Sequence, residues 1–81
     1  MPIYRIRLFA TLRDVAGQET LDLALPSPAT VGQLRAALAA FPMLTPYAES
    51  AVIAVNHAFT TDDTPLTPDD EIAAFPPVSG G

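Results

Sequence analysis

From Ile3 to Phe9 the chain alternates, with Tyr4, Ile6 and Leu8 on one side and Arg5, Arg7 and Phe9 on the other. A period of two predicts a strand buried on one face. Leu21-Asp22-Leu23-Ala24-Leu25 repeats the pattern, with three leucines pointing one way. The two strands are expected to pair as an antiparallel hairpin. Between them, Thr11 to Gly17 reads as a short helical turn, with Thr11 as N-cap and Gly17 as its C-terminal stop.

The clearest helix comes next. Thr30-x-x-Gln33 is a capping-box pattern, and Val31, Leu34, Leu38 and Phe41 follow at spacings of three and four. Pro42 closes the helix, because its ring and missing N–H oppose continuation. Met43 to Ser50 reads as a loop with room for one helical turn. Ala51 to Val55 is an apolar run of strand length, suited to an interior strand. Asn56-His57 predicts a turn into a brief strand around Ala58 to Thr60, and Thr61 to Asp70 is polar and turn-rich. Glu71 to Phe75 is a last short strand, with Ile72 and Ala74 toward the core. This order predicts an α+β domain in which one main helix packs across one face of a mixed sheet.

Composition narrows the possibilities. The 81 residues, 49% apolar and 16% charged, suit one soluble domain spanning 1–81. No apolar run approaches the roughly 20 residues of a membrane helix, and residues 1–5 enter a strand pattern directly, so the expected setting is cytoplasmic with no membrane contact. There is no cysteine, which removes disulfides, thiolate nucleophiles and zinc–thiolate sites. There is no lysine either: the four basic residues are Arg5, Arg7, Arg13 and Arg35. A formal charge of −5 disfavours nucleic acid and suits a basic partner.

The chemistry gathers at the C-terminus, Phe75-Pro76-Pro77-Val78-Ser79-Gly80-Gly81. Pro76-Pro77 fixes two φ angles and removes two donors, so the strand must stop and residues 76–81 should project as an extended, flexible tail. Gly80 and Gly81 lack Cβ atoms and make the thinnest backbone a polypeptide can offer. Such an end can enter a narrow channel and present the Gly81 α-carboxylate to a buried reaction centre. A carboxylate becomes an acyl donor once it attacks the α-phosphate of ATP, and a sulfur nucleophile then converts the acyl-adenylate to a thiocarboxylate. None of this requires a side chain on the carrier. A terminal Gly-Gly alone is a weak signal, since a glycine frequency of about 7% gives roughly one chain in two hundred by chance.

Phe9-Ala10-Thr11-Leu12-Arg13-Asp14-Val15-Ala16-Gly17, together with Ala54-Val55-Asn56, Pro65-Leu66 and the run Asp70 to Gly81, resembles the molybdopterin synthase small subunits. The likeness covers essentially the whole length, and the Phe-Pro-Pro-Val-Ser-Gly-Gly ending is specific. It implies a ubiquitin-like β-grasp fold and a sulfur carrier with no catalytic residues of its own. An E1-like enzyme would adenylate Gly81 with ATP, and the terminal thiocarboxylate would follow. Pro76, Pro77, Val78, Ser79 and Gly80 would insert into the large subunit of a heterotetramer. There two carriers in turn would supply the sulfurs that convert cyclic pyranopterin monophosphate to the molybdopterin dithiolene. No cofactor is implied as permanently bound. Two departures stand out. Asp69 occupies a frequent glycine position and is expected to tolerate the left-handed region, and Ala74 replaces a frequent bulky aromatic, leaving a shallower face.

Phe9 and Phe75 share the parity that points away from the helix, and with Phe59 they form an expected docking patch, with Arg13 as a further contact. His57 reads as a solvated turn residue. The acidic runs Asp62-Asp63 and Asp69-Asp70-Glu71 lack calcium-loop spacing, so no metal site is expected. The alternatives are a thiamine-type sulfur carrier, a ubiquitin-like protein modifier, or a β-grasp interaction module with an inert tail.

Overall fold

The computed structural model describes residues 1–77. Five strands form the main sheet. β1 (Ile3–Leu8) and β2 (Thr20–Ala24) are the predicted hairpin, with Tyr4 opposite Leu23 and Ile6 opposite Leu21. Between them, α1 (Ala10–Ala16) ends at Gly17, whose φ of 72° is the left-handed stop that glycine supplies. Thr11 is not its N-cap: it lies inside the helix, and Phe9 caps the end without a side-chain hydrogen bond. The chain instead turns the corner at Ala10, at φ 52°.

β3 (Ala29–Thr30) leads into α2 (Val31–Ala39), where Thr30 and Gln33 close the capping box from both sides. The helix ends with Ala40 as C-cap, just before the Phe41-Pro42 step. One turn of helix, α3 (Thr45–Ala48), fills the following loop. β4 (Val52–Val55), β5 (Ala58–Phe59), β6 (Pro65–Leu66) and β7 (Ile72–Phe75) complete the chain. The sheet order is β2-β1-β7-β4-β5, with β7 parallel to β1 and antiparallel to β4. The polar 61–70 stretch holds an element the alternation rule passes over, since β6 pairs with β3 in a separate two-stranded sheet. Two-residue strands are too short to show a period.

The core lies between one sheet face and α2. Tyr4, Ile6 and Leu8 from β1, Leu21 and Leu23 from β2, Ile53 and Val55 from β4, and Ile72 and Ala74 from β7 meet Val31, Leu34 and Leu38 of α2. Full burial of each large side chain contributes about 1.5–3 kcal/mol. Ala74 is wholly buried in this core, so its small size does not make the open face shallower. Arg35 ties the helical layer together: one guanidinium nitrogen donates to the carbonyls of Ala48, Glu49 and Ala51, and Nε donates to Asp62 at 3.0 Å.

Candidate functional site

The register of the sheet assembles a patch on the face away from α2. Arg7 lies opposite Ala73, Ala73 opposite Ala54, and Ala54 opposite Phe59, so four strands contribute one row. In the next row Val52 lies opposite Phe75. Phe9, just past β1, is held there because its N–H donates to the Ala74 carbonyl at 3.2 Å. The Phe9 and Phe75 rings stack, with centroids 4.7 Å apart and planes within 12°. The Arg7 guanidinium sits 5.3 Å from the Phe9 ring centroid, a cation–π distance. Ala54 and Ala73 form the floor of a shallow depression of about 260 Å³, rimmed by Arg7, Phe9, Phe59, Phe75, His57 and Glu71.

The three phenylalanines expected as a docking patch therefore do share one face. Phe59, whose parity the sequence leaves open, is 81% exposed. Arg13 is exposed on α1 and borders a second shallow hollow with Arg7 and Phe9. Sequence reasoning missed Arg7, although its parity with Phe9 was available. It also missed Val52, which with Ala10, Phe59, Phe75 and Pro76 lines an almost wholly apolar hollow at the end of β7.

The other end of the patch is fixed by Asn56. Both Asn56 and His57 have positive φ, 52° and 70°, as a two-residue hairpin turn requires. The Asn56 N–H donates to the Glu71 carbonyl, its Oδ1 accepts from the Glu71 N–H, and its Nδ2 donates to Asp70. This single side chain locks the β4–β5 turn to the start of β7. His57 is 85% exposed, as expected, but its Nε2 contacts the Glu71 carboxylate at 2.5 Å. The Thr67 backbone N–H, with a further bond from Asn56, holds the Asp70 carboxyl below its ordinary 3.8. The acidic run is thus a hydrogen-bonded turn, and Asp69 keeps a negative φ in place of the left-handed conformation expected of it. No group of three or more potential ligands among the described residues is placed to hold a metal ion. Among them too, no helix is long and apolar enough to cross a membrane.

β7 is the central strand of the five, so Pro76 and Pro77 follow on from the middle of the sheet. Pairing stops at Phe75, where Pro76 begins, and Pro76 is half-buried while Pro77 is exposed. Val78, Ser79, Gly80 and Gly81, the expected insertion segment and reactive end, lie outside the described residues. The described part brings the tail root, the stacked pair and the apolar hollow to one place.

The ThiS family pattern matches residues 6–81. The molybdopterin synthase sulfur carrier subunit of Arabidopsis thaliana is 36% identical over 78 residues, covering 95% of this chain and 81% of that protein. The subunit of the same name from Escherichia coli K12 is 36% identical over 80 residues, covering 95% and 98%. Among solved structures, SAMP1 from Haloferax volcanii is similar, with a TM-score of 0.81, 32% identity and coverage of 98% and 99%. So is the complex of subunits 1 and 2 of molybdopterin-converting factor from Helicobacter pylori, with a TM-score of 0.70, 26% identity and coverage of 98% and 99%. A Caldiarchaeum subterraneum ubiquitin shares the fold at a TM-score of 0.67 and 19% identity, covering 99% of this chain and 98% of its own. With its ubiquitin-like β-grasp architecture and the Phe9–Phe75 face at the root of its tail, the chain belongs to the ThiS family, alongside the molybdopterin synthase sulfur carrier subunits.

Proposed function

We propose that this protein carries sulfur on its C-terminus for molybdopterin synthesis. An E1-like enzyme adenylates the Gly81 carboxylate with ATP, and AMP is displaced by sulfur to leave a thiocarboxylate. The tail then enters the large subunit, and two carriers in turn supply the sulfurs of the molybdopterin dithiolene from cyclic pyranopterin monophosphate. The assembly is a heterotetramer with one carrier at each end of a large-subunit dimer, working in the cytoplasm. The observation that carries this reading is the end of β7. The strand places Phe75, stacked on Phe9, at the base of a Pro-Pro spacer, which supports an apolar docking face at the root of the tail. The names of the relatives and the two-subunit complex from Helicobacter pylori support it.

A second reading shares the activation step but ends on a protein amine. The 32% identity to a SAMP1, a small archaeal modifier protein, favours it. Both readings require a free Gly81 carboxylate. Extending the chain by one residue should abolish ATP-dependent activation by the E1-like enzyme, measured as AMP release. Undiminished activation of the extended chain would refute both.

A further inference from the structure

An acyl-adenylate reacts with any free amine within reach, and this chain carries no side-chain amine at all. Its four cations are all arginines, whose guanidinium groups stay protonated and do not accept acyl groups. They are used where a cation does structural work. Arg5 forks onto Asp22 at 2.9 and 3.3 Å, Arg7 lies over the Phe9 ring, and Arg35 binds Asp62 and three carbonyls. Arg7 shares a hollow with Phe75 at the tail root, and Arg13 borders a second hollow with Arg7 and Phe9. Thiols are absent as well.

Within these 81 residues the one other amine is the α-amine of Met1, and topology removes it from reach within one molecule. β7 runs parallel to β1 with Leu8 opposite Ala74, so Phe75 lies level with Phe9. Pro2 continues the β1–β2 pairing, since its carbonyl accepts from the Leu25 N–H. Met1 is therefore eight residues away along a strand, about 26 Å. The six residues after Phe75 span at most about 21 Å. His57 is the other nitrogen nucleophile. It sits at the opposite end of β7, against Glu71, and an acyl-imidazole would lose its acyl group to water.

We propose that this surface makes the carrier a strict donor through its side chains: an activated C-terminus is passed to another kind of molecule, and no side chain of the same chain or of a second copy keeps it as an amide. The step avoided is simple. An amine lone pair attacks the Gly81 acyl carbon and an amide forms. The bond to AMP or to a thiolate breaks with its electron pair, and the amine proton passes to solvent. On the modifier reading, this chain would be attached singly and could not be extended into side-chain-linked chains. The inference rests on the carrier reading only for the claim that Gly81 becomes activated.

The test bypasses the activating enzyme. The 81-residue protein is prepared as a C-terminal thioester and followed by intact mass, alone and with N-acetyl-lysine. The expected products are hydrolysed acid alone and the N-acetyl-lysine amide when that amine is present, with no cyclic amide and no double-mass amide linked through a side chain. Thr11→Lys and Asp14→Lys each place an amine at an exposed position of α1, whose first residue, Ala10, lines the apolar hollow with Phe75 and Pro76. Either should raise cyclic or carrier–carrier amide by at least roughly tenfold, as expected for a tethered nucleophile at millimolar effective concentration. Self-acylation of the unchanged protein at the rate of the lysine variants would overturn the proposal. So would two folded lysine variants that stay inert while N-acetyl-lysine is acylated. Because the thioester is made chemically, neither result depends on whether the thiocarboxylate reading holds.

Discussion

Replacing Phe75 by alanine separates the docking role of the open face from its contribution to folding. The ring is half-buried and stacks on Phe9 at 4.7 Å. Losing the stack costs about 0.5–1.5 kcal/mol. Adding the lost burial of a half-exposed ring brings the total to about 1–2.5 kcal/mol, well below the roughly 3–5 kcal/mol of a fully buried phenylalanine. A domain of about 5–15 kcal/mol stability remains folded after that loss. At an interface, an aromatic anchor of this kind contributes about 2 kcal/mol or more, a loss of roughly 30-fold in affinity. Phe59→Ala is the sharper partner experiment. Its ring is 81% exposed in the free protein, so its stability should change by less than about 0.5 kcal/mol. Its affinity should fall with that of Phe75→Ala. Calorimetric titration against the large subunit, with thermal unfolding of each variant, reads both quantities. If both variants are folded and bind with unchanged Kd, the open face is not the docking surface and the reasoning fails.

Asn56→Ala should lose about 2–3 kcal/mol, because two side-chain hydrogen bonds disappear and alanine must hold a φ of 52°. That corresponds to roughly 10–20 °C in Tm, and Asn56→Gly should lose less because glycine adopts that φ freely. A Tm unchanged in the alanine variant would show that the turn is not locked by this residue. Tyr4 is wholly buried and its hydroxyl has no protein partner among the described residues. Tyr4→Phe should therefore leave stability unchanged or raise it by up to about 1 kcal/mol, and a loss beyond about 1 kcal/mol in urea unfolding would contradict this. Asp70 and Asp22 both titrate below the ordinary 3.8, Asp70 through the Thr67 N–H and Asp22 through Arg5. Their folded values lie below their unfolded ones. The stability they contribute is thus complete above the unfolded pKa and lost as pH falls through the folded value. Urea midpoints should fall below about pH 4, and Asp70→Asn should be less stable near neutrality with a shallower acid loss. A variant with an undiminished acid slope would remove Asp70 from the account.

Much of the fold was legible because long elements have periods. Tyr4, Ile6 and Leu8 declared their face through alternation, and Thr30 and Gln33 declared the helix start through their capping box. The β3–β6 pair was not legible, because two residues carry no period and their partners lie far apart in sequence. Thr11 misled because the hydroxyl suited an N-cap, whereas the corner was made by Ala10 adopting a positive φ that alanine does not advertise. Asp69 misled in the opposite way: the turn gained its order from the side chains of Asn56 and Asp70 and needed no left-handed residue. Within the site, parity alone placed Phe9 and Phe75 together. Phe59 depended on the register of a two-residue edge strand, which only the Asn56-His57 turn sets.

The central claim is that the Gly81 carboxylate carries sulfur. Intact-mass analysis of the protein isolated with its cellular partners, followed by fragmentation, tests it directly. The account predicts a population in which one sulfur has replaced one oxygen, with the change confined to Gly81. A protein whose terminus carries only oxygen while molybdopterin is being made, or a sulfur located elsewhere in the chain, would contradict it.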